Sequence, residues 1–536
     1  MRREFVIFMI ILIVGTILLD QFVWPGFWKA FFVIAPIGLL GLYDMFQKSN
    51  SIHRNFPIVG RGRQVMEELR PKIQQYFIED DIHGRPFSRI ARSLVYARSE
   101  KGLDTNPFGT QLDNYSEGYE WMHHSIGALD AHDLDMQPRV TVGGSDCTQP
   151  YSCSLYNVSA MSFGSLSSRA IAALNGAAKI GDFAHNTGEG GISPYHLEHE
   201  GDLIFQFGTG YFGCRNKDGE FDDDLFAKQA NRPSVKMIEL KLSQGAKPGH
   251  GGILPAEKNT EEIAEIRNIE SGTNVLSPPY HTAFSGPTGL IEFIQKLRKL
   301  SNGKPVGFKL CVGARHEFLA ICKAMIETGI KPDFIAVDGG EGGTGAAPVE
   351  FSDSVGMPFR EGMAFVANAL EGFALKKEIT LIASGKIVSG FDMFRAFALG
   401  ADTCYSARAM MLALGCIQAL ECNQNSCPTG VATHKQHLVA GLHVADKKVK
   451  VANFHRETVE SFVELMAAAG VSSTEEIDRT MIYRRLNMHE SKPYSFIYPE
   501  IPAGCLLNED LAPGDYRMWM EMAQTSSFQP RIRIKV

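Results

Sequence analysis

Two uninterrupted apolar runs open the chain: FVIFMIILIVGTILL, Phe5 to Leu19, and AFFVIAPIGLLGLY, Ala30 to Tyr43. Each is shorter than the ~20 residues that cross a hydrocarbon core. Their flanks can complete the span, because Trp24 and Trp28 favour the interface and Lys29 can snorkel. The pattern predicts a transmembrane helical hairpin over 1–49 that anchors the chain, with Asp20 in the short turn. Arg2 and Arg3 precede it, and Lys48, Arg54, Arg61 and Arg63 follow, which puts both ends on the cytoplasmic side. The expected location is therefore the inner (cytoplasmic) membrane, with the rest of the chain facing the cytoplasm. A signal peptide, a single span and a buried helical pair are the alternatives. No A-x-A cleavage site follows the first run, and the second run comes at once.

Residues 50–150 are mixed and polar, with a helical stretch at RQVMEELRPKIQQYF, and read as an extension packing on the domain that follows. After Tyr151 the pattern changes to short β-rich runs, each ending in glycine or polar residues and followed by a helical period. The runs are NVSAMSFG (157–164), DFAHNTGEGG (182–191), SVKMIELKLSQG (234–245), TNVLSPP (273–279), PVGFKLCVG (305–313), DFIAVDGGEGGTG (333–345), ITLIASGK (379–386) and ADTCYSARA (401–409). Eight such units alternating with helices predict an α/β fold, a parallel (β/α)8 TIM barrel over 151–470, with 471–536 as a C-terminal extension. An open doubly wound sheet is the rival, but no G-x-G-x-x-G fingerprint opens the first unit.

Composition changes little in this picture. The chain is 44% hydrophobic and 21% charged, and its net charge of −7 argues against a nucleic-acid partner. Ten cysteines, from Cys147 to Cys505, show no regular framework, as expected where thiols stay free or bind metal.

Chemistry in such a barrel sits at the carboxyl ends of the strands, with phosphate bound after strands seven and eight. Those ends carry Ser384-Gly385-Lys386 and Ala407-Arg408, beside the loop GGEGGTGAAP from Gly339. Glycine lets backbone N–H groups approach a phosphate closely, and three such loops with two cations suggest FMN rather than tight turns alone. Lys309, inside strand five, needs an anionic partner, for which the N1–C2=O edge of a reduced flavin is suited. Its alternative is a frayed strand end in water. Cys416, Cys422 and Cys427 are an odd number for disulfides, and their spacing does not suit structural zinc. Three thiolates can satisfy a three-iron cluster; zinc with His434 as a fourth ligand and plain buried thiols remain open.

SAMSFGSLS (159–167), NTGEGG (186–191), KLSQGAKPGHGG (241–252), LSPPYH (276–281), VDGGEGGTGAAP (337–348) and the cysteine triplet occur in an order that resembles the synthase domain of glutamate synthase, from about Asn157 to Lys435. CTQPY at 147–151 is similar to the stand-alone, membrane-anchored branch of that family. The resemblance implies an oxidoreductase acting on CH–NH2 donors, in which reduced FMN delivers hydride to 2-iminoglutarate formed from 2-oxoglutarate and ammonia. It implies a 3Fe–4S cluster on Cys416, Cys422 and Cys427. It implies flavin contacts at Ser159, Ala160, Met161, Ser162, Gln244, Lys309, Gly340, Gly343, Ser384, Gly385, Lys386, Ala407 and Arg408. Lys241 and Arg267 match positions that contact 2-oxoglutarate, and Glu189 and Lys309 match catalytic groups close to the flavin. By default each has a plainer role: Arg267 on a solvated helix face, Lys241 at a strand end, Glu189 in a turn.

The chain departs from the family in three ways. Ile253 in GGILPA stands where the family has a glutamine that helps hold the oxoacid, so either the substrate differs or another residue makes the contact. Residue 2 is Arg, so no amino-terminal cysteine nucleophile is available, and ammonia or an amine is expected from solution or a partner. No dinucleotide-binding segment is evident, so electrons are expected from a separate donor. The alternatives are the same cofactors acting on another oxoacid or amine, and a membrane-bound flavin and iron–sulfur electron carrier.

Overall fold

The computed structural model describes residues 1–531. The chain forms two compact units, Met1–Arg89 and Ile90–Val536. In the first, helices Arg2–Phe22 and Phe31–Phe46 are joined by a tight turn and the 3-10 turn Phe27–Ala30. Asp20 lies at the end of the first helix, and its carboxylate accepts from the Gly26 and Trp28 amides at 2.8 and 3.1 Å. Gly41 allows the helices to touch, because a Cβ there would overlap the Phe5 ring. Arg2–Phe22 and Phe27–Phe46 are long and apolar enough to cross a membrane, by length and composition.

The second unit is built on eight parallel strands that close into a barrel in chain order. They are β1 (Tyr156–Val158), β2 (His185–Asn186), β3 (Leu203–Phe207), β4 (Val235–Lys241), β5 (Val306–Leu310), β6 (Phe334–Asp338), β7 (Thr380–Ser384) and β8 (Thr403–Ser406). β3, β5 and β6 are buried along their whole length, the near-continuous apolar pattern of a sheet covered on both faces.

The sequence reading of the strands needs one correction. TNVLSPP is not in the barrel: Val275–Leu276 pairs antiparallel with Ile253–Leu254 in a separate hairpin. The place is taken by Leu203–Phe207, which the sequence reading passed over. One run lost and one gained leaves Lys309 on strand five.

A hairpin of Arg139–Val142 and Tyr151–Ser154 sends Val142, Tyr151 and Cys153 into a core with Ile204, Met237, Phe334 and Ile382. Its Gly144 amide donates to Asp333 at 2.8 Å, next to the start of β6, so this hairpin covers the amino-terminal ends of the strands. A three-stranded sheet joins Glu120–Met122 to Ile482–Arg485 and Ser491–Pro493. Its buried Glu120 accepts from Arg360 at 2.9 Å and from Tyr494 at 2.8 Å, which ties both flanking stretches to the helix Phe359–Gly372. With one end covered, the carboxyl ends of the strands are left for chemistry.

Candidate functional site

Glu189, in the loop after β2, and Lys241, the last residue of β4, form an ion pair at 2.8 Å. Lys241 also donates to Gln244 at 2.5 Å. His281 fixes the strand end behind them, one ring nitrogen 2.9 Å from the Lys241 carbonyl and the other 3.1 Å from the Tyr211 hydroxyl. Burial pushes the Glu189 carboxyl up, but Lys241, Lys247 and Arg267 together outweigh it and hold the group below the usual carboxylate range. The site is thus an anion held by three cations, an excess of positive charge suited to a dianionic ligand.

Arg267 ends the helix Glu261–Arg267, whose next residue, Asn268, is left-handed at φ 54°. It does not face solvent: it is 5% exposed, donates to the Phe163 carbonyl at 3.2 Å and stacks over Phe212 at 5.1 Å. Burial lowers its pKa to about 10, with Glu189 acting against the fall. Its Nε is buried without a partner. The guanidinium fits only because Gly190 lacks a side chain, since a Cβ there would come within 2.8 Å of Nη2.

Lys309 is buried, and Asp338 supplies its carboxylate at 3.5 Å. Asp338 also accepts from the Gly245 amide at 2.8 Å and the Ser384 hydroxyl at 2.7 Å, joining the ends of β4, β6 and β7. Arg408, just after β8, donates to the Glu341 carbonyl at 2.6 Å, and a Cβ at Gly343 would press on its guanidinium. A Cβ at Gly385 would press on Phe359, and Lys386 is left-handed at φ 54°. The Gly340 amide is already bonded to the Met357 carbonyl at 2.8 Å. The helix after β7, Gly390–Ala398, is capped by Ser389, whose hydroxyl accepts from the Asp392 amide at 3.2 Å, while the Asp392 carboxylate accepts from the Val388 and Ser389 amides at 3.0 Å each. Ser159, Ala160, Met161 and Ser162 follow β1, with the Ser159 amide on the Ser406 carbonyl at 2.9 Å and Met161 and Ser162 against Gly188.

The cysteine loop follows the helix Arg408–Ala413. Gln418, Leu420 and Asn425 are all left-handed, at φ 58°, 58° and 54°, so the chain curls tightly between the thiols. The Gln418 amide donates to the Cys416 sulfur at 3.4 Å. Burial raises the Cys416 thiol to about 11, and neighbouring Cys422 and Cys427 push the same way. Among the described residues, no group of three or more His, Cys, Asp and Glu side chains is gathered to hold a metal ion. His434 Nε2 lies 2.8 Å from the Gly164 carbonyl, in the chain that follows β1. Lys258 donates to Ser165 at 3.1 Å and His434 packs edge-on against Phe163, so the loop sits against the chain that follows β1.

Four residues escaped the sequence reading. Lys247 is buried, bonded to the Ala346 carbonyl at 2.8 Å, and lowered to about 8 by burial and Lys241. It lies in KLSQGAKPGHGG, so its motif was visible but not its direction. Asp338, likewise inside a quoted motif, needed the barrel to bring it to Lys309. Lys258 is buried near Cys422 and Cys427. Ser277 has a buried hydroxyl without a partner; a Cβ at Gly252 would meet both it, at 3.2 Å, and the Glu189 carboxylate, at 2.7 Å.

Known proteins resemble this chain over most of its length. The conserved region in glutamate synthase matches residues 109–472. The chain is 36% identical over 484 residues to the glutamate synthase large subunit-like protein YerD of Bacillus subtilis, covering 82% of this chain and 91% of that one. It is 35% identical over 335 residues to the archaeal-type glutamate synthase (NADPH) of Thermotoga neapolitana, covering 62% of each. The ferredoxin-dependent glutamate synthase of Antithamnion sp. is 33% identical over 244 residues, which is 16% of its length. The chain thus spans nearly all of one relative and smaller parts of others, and with a match across most of the barrel unit it belongs to the glutamate synthase family of oxidoreductases acting on CH–NH2 donors.

Proposed function

We propose that this chain reductively aminates a 2-oxoacid, in the simplest case 2-oxoglutarate to glutamate by way of 2-iminoglutarate, with FMN and a 3Fe–4S cluster as cofactors. One observation carries the reading: Lys241, Lys247 and Arg267 surround one carboxylate, Glu189, at the carboxyl ends of the strands. A dicarboxylate needs two cations, and a buried cationic surplus is costly unless an anion arrives. Arg267 and Lys241 take the substrate carboxylates, and Glu189 holds Lys241 in place until they do. Bound flavin supplies hydride for the imine carbon.

The residues present fit both cofactors. Gly343 leaves backbone alone beside Arg408, as a phosphate requires, and Lys309 with Asp338 provides a buried polar partner for the ring system. Cys416, Cys422 and Cys427 share one curled loop with an N–H···S bond to Cys416, and their thiolates would hold the cluster, which would supply one-electron transfer there. The contacts of His434, downstream of Cys427, with Phe163 and Gly164 after β1 support electron passage to the flavin side. The electron donor is a separate reductant of the ferredoxin or NADPH kind, in line with the names of two relatives. The nitrogen donor is ammonia or an amine. The helices Arg2–Phe22 and Phe27–Phe46 anchor the chain in the cytoplasmic membrane, with the barrel on the cytoplasmic side.

The test is anaerobic: photoreduced protein is mixed with a panel of 2-oxoacids plus ammonia while flavin absorbance and amino-acid product are followed. 2-Oxoglutarate alone is expected to reoxidise the flavin and yield glutamate, from protein that also contains iron and acid-labile sulfide. Reoxidation by another oxoacid would move the substrate, a reading that Ile253 favours. Reoxidation by none would leave an electron carrier.

A further inference from the structure

The helix Val59–Ile73 follows the second apolar helix after a segment that holds the short helix Ser51–Asn55, and a π-helical turn, Gln74–Ile78, extends it. With about 3.6 residues per turn, Val59, Met66, Leu69 and Ile73 fall on one face. That face is bare: Met66 is 61% exposed and Val65, at its edge, 50%, and the π-helical turn adds Tyr76, Ile78 and Phe77, which is 84% exposed. Arg63 and Arg70 border one side of the stripe and Lys72 the other, while Gln64 and Glu68 lie opposite.

The start of this helix is fixed to the end of the apolar helix before it. Asp44, fully buried and two residues before Phe46, accepts from the Ile58 amide at 3.0 Å and grips Arg61 through both oxygens, the shortest contact being 2.6 Å. Ile58 is left-handed at φ 64°, a costly state for a β-branched residue that persists only where its surroundings impose it. The carboxylate therefore pins the first turn of the helix beside the boundary where the apolar segment stops.

We propose that Val59–Ile78 lies flat on the membrane, with its apolar stripe in the acyl boundary and Arg63, Arg70 and Lys72 on anionic headgroups. The proposal rests on the reading of the preceding helices as membrane spans. A stripe of this width, edged by basic residues and held at the boundary by Asp44, matches an anionic lipid surface in both hydrophobicity and charge. The anchor then has two parts, a hairpin that spans and a helix that covers one leaflet.

The experiment uses the full chain in vesicles of phosphatidylcholine mixed with phosphatidylglycerol. A photo-crosslinking benzophenone amino acid replaces Phe77, Gln64 or Ile10 in three separate variants, and adducts are identified by mass. Ile10, 55% exposed in the first helix, reports the span itself. Lipid adducts are expected at Ile10 and Phe77, with several-fold less at Gln64, and the Phe77 yield is expected to fall several-fold in pure phosphatidylcholine. Lipid adducts at Ile10 with protein adducts at Phe77, to the same chain or a second copy, would overturn the proposal and leave the spans intact. Equal Phe77 yields in the two vesicle types would overturn the assignment to anionic headgroups. No lipid adduct at Ile10 would end the membrane reading, and this proposal with it.

Discussion

Lys241 lies 2.8 Å from Glu189, joining the end of β4 to the loop after β2 across the open end of the barrel. The pair is not balanced, because Lys247 and Arg267 also act on the same carboxylate. Replacing Lys241 by Met removes the nearest cation and lets burial act on Glu189 with less opposition, so the carboxyl pKa rises. If turnover needs the carboxylate, the acid limb of the pH profile of kcat/KM moves to higher pH, as expected for loss of one close opposite charge. An unmoved limb would detach Glu189 from the reaction.

Arg267 is buried yet keeps one nitrogen without a partner, an arrangement that costs stability unless a ligand uses it. Arg267→Met is expected to lower kcat/KM for the oxoacid by about 100-fold or more, the size of a lost buried charge contact of roughly 3 kcal/mol. Flavin and iron content should stay at the parent level, measured by absorbance and iron analysis. Arg267→Lys keeps the charge but lacks the planar fork, and should recover only part of the loss.

Gly245 passes so close to β6 that a Cβ would overlap the Gly339 carbonyl oxygen, and its amide holds Asp338. Gly245→Ala forces these two loops apart, which takes the support from Asp338 and through it from Lys309. Flavin retention on gel filtration is expected to fall sharply while the far-ultraviolet circular dichroism of the barrel is kept. Stability should drop by about 2–4 kcal/mol, read from denaturant unfolding.

How far the sequence showed all this depends on which residues act locally. Strands β5, β6 and β7 were legible because Phe308, Ile335 and Leu381 belong to short, mostly apolar runs that give way to polar residues and glycine. Val275–Leu276 misled because a short extended pair looks the same in a barrel or in a loop hairpin; its Leu276 is 67% exposed, which no barrel strand would allow. Leu203–Phe207 was passed over although it is as buried and, apart from Gln206, as apolar as the strands that were read. At the site, the quoted motifs contain Glu189 and Lys241, whereas the burial of Arg267 and the Asp338–Lys309 link depend on partners 29 to 104 residues apart in sequence, as with Lys309 and Asp338 or Arg267 and Phe163. Local pattern carries no record of such partners.

His455 packs the helix Val444–Ala469 onto the barrel, with Nε2 2.9 Å from the Ser154 hydroxyl and its ring stacked on Phe183 at 4.1 Å. Burial lowers its pKa to about 3, and burial does the same to His196. The unfolded chain protonates these rings near pH 6.5, whereas the folded chain resists until about pH 3. Below pH 6.5 the unfolded state therefore binds more protons, and stability is lost progressively as pH falls toward 3. The melting temperature should decline through this window, and His455→Gln, which cannot take up the proton, should flatten the slope. An equally steep decline in the variant would assign the loss to other groups.

Ser277 bears on the identity of the substrate. Ile253 stands where the family has a glutamine, and it lies in the hairpin opposite Leu276, with its apolar side chain unable to offer an amide. The next residue after Leu276 is Ser277, whose buried hydroxyl has no partner and lies close to the Glu189 carboxylate across Gly252. A hydroxyl there can donate to a substrate carboxylate from the same strand pair that the glutamine would have used. If it does, Ser277→Ala should raise KM for 2-oxoglutarate by about 10- to 100-fold, as expected for a lost hydrogen bond of roughly 1.5–3 kcal/mol to a charged group. The change should leave kcat nearly constant, because the carboxylate contact is the same in ground and transition states. Ile253→Gln in the Ser277→Ala background should restore the lower KM. If Ser277→Ala has no effect with 2-oxoglutarate but impairs turnover of a different oxoacid in the panel, the hydroxyl serves that acid, and Ile253 marks a changed substrate rather than a relocated contact.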